Sequence, residues 1–407
     1  MMTNFRAFGA RLWRMPAIRA ALLAFLVLRL LTFFVATVGY LSQPTRINLD
    51  EQPVYNLYNT VVISPEPIKT LIAPWYRWDT GWYVYIAYQG YQANEVTYAF
   101  SPLYPVLIRL VANVVGDYLL AAILISNIAC IIFFIFVYRR FERWSGHVHA
   151  RWVLRTLVFF PTAFYLVAGY ADSLGLALAL AAWEAMEKQR YARAGLLGLL
   201  AGLARPQLWI MALPMLYQMG LQFRAEYPET PPKFAHFMRW SIHHVGALWA
   251  LMGAGLGTAI YLFLPSLFGI GSTEAAGTAG WSSTFAFPGL GFLYAIGDML
   301  RGQATVLEII NIFSFATLLI LIFIGWKKLD RGHWLYMVGS IFVLSLILNQ
   351  RVHLEGMTRY MLHVYPLFFI IAGWLIRKRR WQTFYFIVSG FMSILAIFLF
   401  TNWVWIA

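Results

Sequence analysis

Two residues of opposite charge, Arg77 and Asp79, stand two positions apart in the run Tyr76-Arg77-Trp78-Asp79-Thr80-Gly81-Trp82-Tyr83. Alternate residues of an extended segment point to one face, so this spacing predicts a guanidinium and a carboxylate in one pocket. A carboxylate in aromatic, partly dehydrated surroundings is suited to general-base work. The same aspartate also fits as the N-cap of a helix over 80–89, and spacing alone leaves both roles open. Glu95 is a second acid nearby, equally accounted for as a solvated loop charge, and Asp172 sits in the turn Gly169-Tyr170-Ala171-Asp172, where aspartate is common. Arg205, followed by Pro206 within an apolar run, calls for a partner or an anionic ligand, because burying an arginine in such a place is costly. Arg351, His353, Glu355 and Arg359 fall within nine residues. Arginine's fork suits a phosphate, so Arg351 or Arg359 is placed to hold an anionic headgroup, while a solvated loop with one internal salt bridge explains the same letters.

Other chemistries find less support. His243 and His244 are adjacent, so on a helix they point apart, and no carboxylate or cysteine has matching spacing for a metal. No metal site and no cofactor are expected. Cys130 is the single cysteine, so no intramolecular disulfide forms. Neither a Walker loop nor a glycine fingerprint is present, which argues against ATP-driven transport.

These residues have to be held by membrane helices. Of 407 residues 61% are apolar and 12% charged, far from a soluble globule, so the chain reads as an all-α polytopic membrane protein. The net charge of +14 comes from 31 Lys and Arg against 17 Asp and Glu. Those cations cluster between apolar runs, as the positive-inside rule requires, so the basicity reports topology and no nucleic-acid partner is expected. Spans are predicted over 17–40, 119–138, 153–169, 173–186, 245–265, 306–326, 334–348, 360–376 and 384–406, with the first retained as an anchor whose N-terminus is cytoplasmic. Residues 102–116 are apolar but short, and 195–220 breaks at Arg205-Pro206 into two half-helices. Parity of the two halves favours re-entry of the broken segment over a crossing at 102–116. The outer loops fall at 42–101, 269–303 and 349–359 of what reads as a single integral domain. In the first of them eight of the seventeen residues from Trp75 to Tyr91 are Trp or Tyr, the side chains of a membrane-water interface.

The run Arg77-Trp78-Asp79, then Gln89-Gly90-Tyr91, Glu95 and Ala99-Phe100-Ser101-Pro102-Leu103-Tyr104-Pro105, resembles the PIG-V family of mannosyltransferases and its bacterial relatives. Ser126-Asn127, Phe160-Pro161-Thr162, Gly169-Tyr170-Ala171-Asp172-Ser173, Gly202-Leu203-Ala204-Arg205-Pro206 and Thr358-Arg359-Tyr360 extend the likeness. The family usually has Ser-Glu where Ala171 and Asp172 stand, which shortens the acid. What the resemblance implies is a C-type glycosyltransferase (GT-C) bundle of about nine to eleven transmembrane helices, with short interfacial helices in a long first extracytoplasmic loop. It further implies transfer of a sugar, mannose for this family, from a polyprenyl-phosphate donor to a lipid-linked or extracytoplasmic glycan acceptor, with inversion, at the outward face of the plasma (inner) membrane. On this reading Asp79 is the general base. Arg77, Trp78, Trp82, Glu95, Asp172, Arg205, His353, Glu355 and Arg359 line the substrate site, the arginines facing phosphate and the aromatic belt the sugars or isoprenoid. The rival from another class is a secondary transporter or flippase of an anionic substrate, which broken helices with an intramembrane arginine also suit. The absence of inverted repeats and the loop position of Arg77 and Asp79 stand against it.

Overall fold

The computed structural model describes residues 15–42, 57–92, 95–228, 234–267, 269, 271–350 and 352–406. Helix α1 (Pro16–Leu41) begins with proline in its first turn, where the missing N–H has no partner to lose. It is the expected first span. Short helical pieces follow at Tyr58–Val61, Ile68–Ile72 and Ala73–Trp75, then α2 (Asp79–Gln89), a 3-10 turn (Glu95–Ala99) and α3 (Leu103–Val115). The described part of the segment expected as the first outer loop therefore carries short helices, as the family resemblance implied. Helix α4 (Tyr118–Val158) is capped by Asp117, whose Oδ1 accepts from Leu120 N at 2.8 Å, and it bends at Gly146, where φ is 80°. The expected separate span over 153–169 is not one helix. Its first residues belong to the returning arm of α4, and beyond Val158 the chain is irregular around Pro161, which lacks the donor a helix needs.

Helices α5 (Asp172–Glu187) and α6 (Tyr191–Ala204) come next, then a 3-10 turn (Pro206–Met211) and α7 (Ala212–Glu226). The interruption falls at Arg205-Pro206, where proline predicted it. Helix α8 (Phe234–His243) leads into α9 (Val245–Leu267). Helix α6 lies directly on α9 through small residues: a Cβ on Gly202 would strike the carbonyl oxygen of Ala254, and one on Gly257 that of Leu199. Such stripes let membrane helices touch backbone to backbone.

The segment 269–303, expected as a loop, holds α10 (Thr273–Trp281), the strand β1 (Ser283–Phe285) and α11 (Leu290–Leu300). Helix α12 (Val306–Lys328) starts with a full capping box of Thr305 and Glu308. Helix α13 (Arg331–Leu344) ends early, because 347–349 form β2 (Ile347–Asn349), antiparallel to β1 with Ser283 opposite Asn349. The two segments expected as later outer loops are thus joined by a small ribbon that hydropathy gave no sign of. The expected span from 360 begins only at α14 (Pro366–Arg377), after a helical turn at Met357–Tyr360, and α15 (Arg379–Thr401) completes the described helices. Helices α1, α4, α9, α12 and α15 are long and apolar enough to cross a bilayer, while α3, α6, α11 and α14 are shorter apolar helices. Leu23, Leu26, Leu30 and Phe34 stand exposed along α1, an apolar stripe suited to lipid. The chain is a multi-pass helical membrane protein.

Candidate active site

The site is assembled where α2 and α5 begin. Trp78 has φ of 51°, and this turn places Asp79 as the first residue of α2. Thr80 Oγ1 donates to Ala168 O at 2.8 Å, and Gly169, at φ 81°, packs so closely that a Cβ would lie 2.9 Å from Thr80 Cγ2. Ser126 of α4 holds the other side of that turn. Its hydroxyl accepts from Gly169 N at 3.2 Å, and its carbonyl accepts from Ser173 Oγ at 2.8 Å. The two acids, distant in sequence, are fixed by this contact between α2 and the turn before α5.

Two arginines join them. Asp172, fully buried, accepts from Arg205 Nη2 at 2.6 Å, from Arg359 Nε at 3.3 Å and Nη2 at 3.0 Å, and from His363 Nε2 at 2.7 Å. Arg359 Nη1 donates to Asp79 Oδ2 at 2.8 Å, so one guanidinium bridges both carboxylates. Asp79 Oδ1 accepts no hydrogen bond from any described residue. The rings of Tyr165 and Tyr170 flank Arg359 at 4.8 and 4.4 Å, a cation-π setting. Burial works against the charge on Arg359, but Asp172 and Asp79 hold its pKa well above the ordinary guanidinium value. The helical turn carrying it is tied down by Thr162 Oγ1, which donates to Thr358 O, and by Ser314 Oγ against Thr358 Oγ1, each at 3.0 Å. Gln207 Nε2, an amide donor, lies 3.1 Å from His363 Nδ1, which assigns the imidazole proton to the Nε2 that faces Asp172.

The cluster forms part of the wall of a cavity of about 270 Å³, near the lower end of small-ligand pockets, which run from about 300 Å³. Asp79, Arg205, Arg359, His353 and Glu355 line it together with Asn349, whose Nδ2 donates to Glu355 Oε2. Among the residues that line the cavity, Arg205 has a buried donor, Nε, without a protein acceptor. Buried donors are nearly always paired, so this one, beside the ion cluster, marks a place for an acceptor oxygen.

Six of the expected residues come together: Asp79, Asp172, Arg205 and Arg359 in the ion cluster, and Glu355 and His353 in the cavity wall. Arg77 does not share the pocket with Asp79. The chain is not extended there, and Arg77 turns towards α15, with Nε donating to Thr401 O at 3.3 Å and its guanidinium 4.2 Å from the Trp403 ring. Nor does Asp79 cap α2, since no side-chain bond is made at that helix start. Trp78 lies edge-on to Trp405 at 5.1 Å, and Trp82 stacks on Phe100 at 6.0 Å. The side chain of Glu95 and the whole of Arg351 lie outside the described residues. His363, Asn349, Tyr165 and Tyr170 went unrecognised in the sequence. His363 had a signal, standing one helical turn after Arg359 inside a stretch read as a plain span, whereas Asn349 is brought in by the ribbon. Away from the cavity centre, the ligand atoms of Asp298, Glu308 and His353 lie within 4.8 Å of one another.

Fold and site together define a multi-pass helical membrane protein with an acid-arginine cavity. The family model described as Mannosyltransferase (PIG-V) matches residues 18–233, more than half of the chain, and the chain belongs to that family. It is a membrane glycosyltransferase. The matched region contains Asp79, Asp172 and Arg205, while Arg359 and His363 come from beyond it. No curated protein matches the chain at a significant level.

Proposed function

We propose that this glycosyltransferase moves mannose from a polyprenyl-phosphate donor to a hydroxyl of a lipid-linked or extracytoplasmic glycan, with inversion, at the outward face of the plasma membrane. The observation that carries this reading is the pairing of Asp79 with Arg359 at the cavity wall. Arg359 engages Oδ2 of Asp79 and orients the carboxylate, so that Oδ1 is the oxygen available for a proton. The acceptor oxygen attacks the anomeric carbon from the side opposite the phosphate. A new C–O bond forms, the bond from that carbon to the phosphate oxygen breaks, the acceptor proton passes to Asp79 Oδ1, and polyprenyl phosphate leaves with the electron pair. Charge gathering on that phosphate is met by fixed donors, the Arg359 guanidinium and the unpartnered Arg205 Nε, which need no reorganisation at the moment of reaction. Asp172 and His363 then act as positioning residues that hold the arginines apart and charged. The lipid tail has only to leave between helices into the bilayer.

The test is single-turnover transfer by the purified protein in lipid, from polyprenyl-phosphoryl mannose to a panel of glycolipid acceptors, with the anomeric configuration of the product read by NMR. Transfer with inverted configuration supports the reading. Transfer with retention excludes a single displacement with Asp79 as base, and donor binding without transfer to any acceptor moves the assignment to a transporter or flippase of lipid-linked sugars.

A further inference from the structure

Behind the cavity wall, His353 meets two carboxylates from other elements. Asp298 lies in the last turn of α11, Glu308 is the third residue of α12, and their carboxylate oxygens and a His353 ring nitrogen fall within 4.8 Å of one another. Helix α11 is pressed against the histidine's backbone, since a Cβ on Gly291 would lie 2.7 Å from His353 O. The three residues therefore come from three segments held at close quarters.

Two observations ask for a cation there. First, Glu308 is 3% exposed, and its carboxylate takes one hydrogen bond, from Thr305 N at 3.2 Å, with no cationic side chain among the described residues paired to it. A buried carboxylate without a countercharge is costly. Second, His353 Nδ1 lies 3.1 Å from Asn349 O, which only accepts, so Nδ1 carries the hydrogen and Nε2 is the nitrogen turned to Asp298 Oδ2 at 2.9 Å. Nε2 is therefore the nitrogen whose lone pair can be offered to a cation held between the ring and that carboxylate. An imidazole whose second nitrogen is fixed by a backbone carbonyl is also the usual arrangement of a metal-bound histidine. Arg301 Nη2, at 2.5 Å from Asp298 Oδ1, is the countercharge of that carboxylate, and no such partner is paired to Glu308 among the described residues.

We propose that Asp298, Glu308 and His353 form a site for one divalent transition-metal ion, zinc or manganese, which ties α11 and the start of α12 to the loop that carries Arg359. One imidazole with two carboxylates suits these ions, whereas magnesium and calcium prefer all-oxygen shells. Ligand atoms around zinc stand about 3 to 3.5 Å apart, given bonds of about 2.0 to 2.2 Å. The His353–Asp298 pair, at 2.9 Å, stands slightly inside that spacing, so binding parts these two atoms a little and draws the Glu308 carboxylate towards them. Asp298 and Glu308 do not line the substrate cavity, so the ion holds the wall and takes no part in transfer.

The experiment titrates chelator-treated protein in lipid nanodiscs with Zn2+, Mn2+ and Mg2+ against a chromophoric competitor, following melting temperature in parallel. Wild type is expected to take up one equivalent of Zn2+ or Mn2+ and to melt higher when saturated, as linkage requires. His353→Ala and Glu308→Gln are expected to bind at least about tenfold more weakly and to lose the metal-dependent rise. Glutamine keeps the capping box of α12, so Glu308→Gln guards against a fold that fails for lack of the cap. His243→Ala, an exposed histidine elsewhere, should bind like wild type. Absence of stoichiometric uptake by wild type, or equal uptake by wild type and the folded Glu308→Gln variant, would overturn the site, as would tighter binding of Mg2+ than of either transition ion.

Discussion

Arg359 and Asp79, 280 positions apart in the chain, meet at 2.8 Å, and the same guanidinium reaches Asp172 at 3.0 Å. One side chain thus links the carboxylate proposed as base to the buried ion cluster at α5 and the end of α6.

That bridge depends on the planar fork. Arg359→Lys keeps the charge but offers a single point that cannot span two carboxylates. Single-turnover transfer should fall by roughly a hundredfold, the scale of losing one aimed donor, while the donor still binds. Rates within a few-fold of wild type would show that bridging is dispensable.

Asp172 is the hub of the ion cluster, accepting from Arg205, Arg359 and His363. Asp172→Asn leaves Arg205 and Arg359 buried opposite a neutral amide and should cost about 3 to 5 kcal/mol of stability. Unfolding in graded denaturing detergent reads this directly. In a double-mutant cycle, removing Asp172 and Arg205 together should cost less than the sum of the single losses.

Arg77 belongs to the packing against the C-terminal segment. Arg77→Ala should lower the melting temperature through loss of its contact with Trp403, worth about 0.5 to 2 kcal/mol for a cation-π pair. Its transfer rate should stay within a few-fold of wild type. A loss as large as that expected for Arg359→Lys would return Arg77 to the substrate site.

The stripe between α6 and α9 positions Arg205 from behind. Gly202→Ala would push a methyl group into the Ala254 carbonyl, separating the helices next to Arg205 at a cost of about 1 to 3 kcal/mol. The melting temperature should drop, and transfer should weaken with it.

Much of this arrangement could be read from the letters, for physical reasons. Long apolar runs declare membrane helices, and Arg205-Pro206 marked a break because proline removes a donor. Asp79 and Arg205 stood out because charge in aromatic or apolar surroundings needs a partner, Arg359 because its fork suits a phosphate, and Asp172 through the family's turn. That they are one another's partners was hidden, since the contacts join positions up to 280 residues apart and depend on a turn held by Thr80, Gly169 and Ser126. The period-two argument misplaced Arg77 because it presumed an extended chain, whereas Trp78 takes a positive φ and α2 starts one residue later. Asn349 was invisible because the ribbon of β1 and β2 is three residues deep on each side, too short for a hydropathy pattern.

The most direct measurement of the central claim is single-turnover mannose transfer by wild type and Asp79→Asn side by side, in the same lipid and with matched melting temperatures. Asparagine keeps the shape of aspartate and an oxygen for Arg359, but it cannot take the acceptor's proton. With Asp79 as general base, transfer falls by about two or more orders of magnitude while donor binding persists. Transfer by Asp79→Asn at the wild-type rate would contradict the account and leave Asp79 as no more than the counter-ion of Arg359.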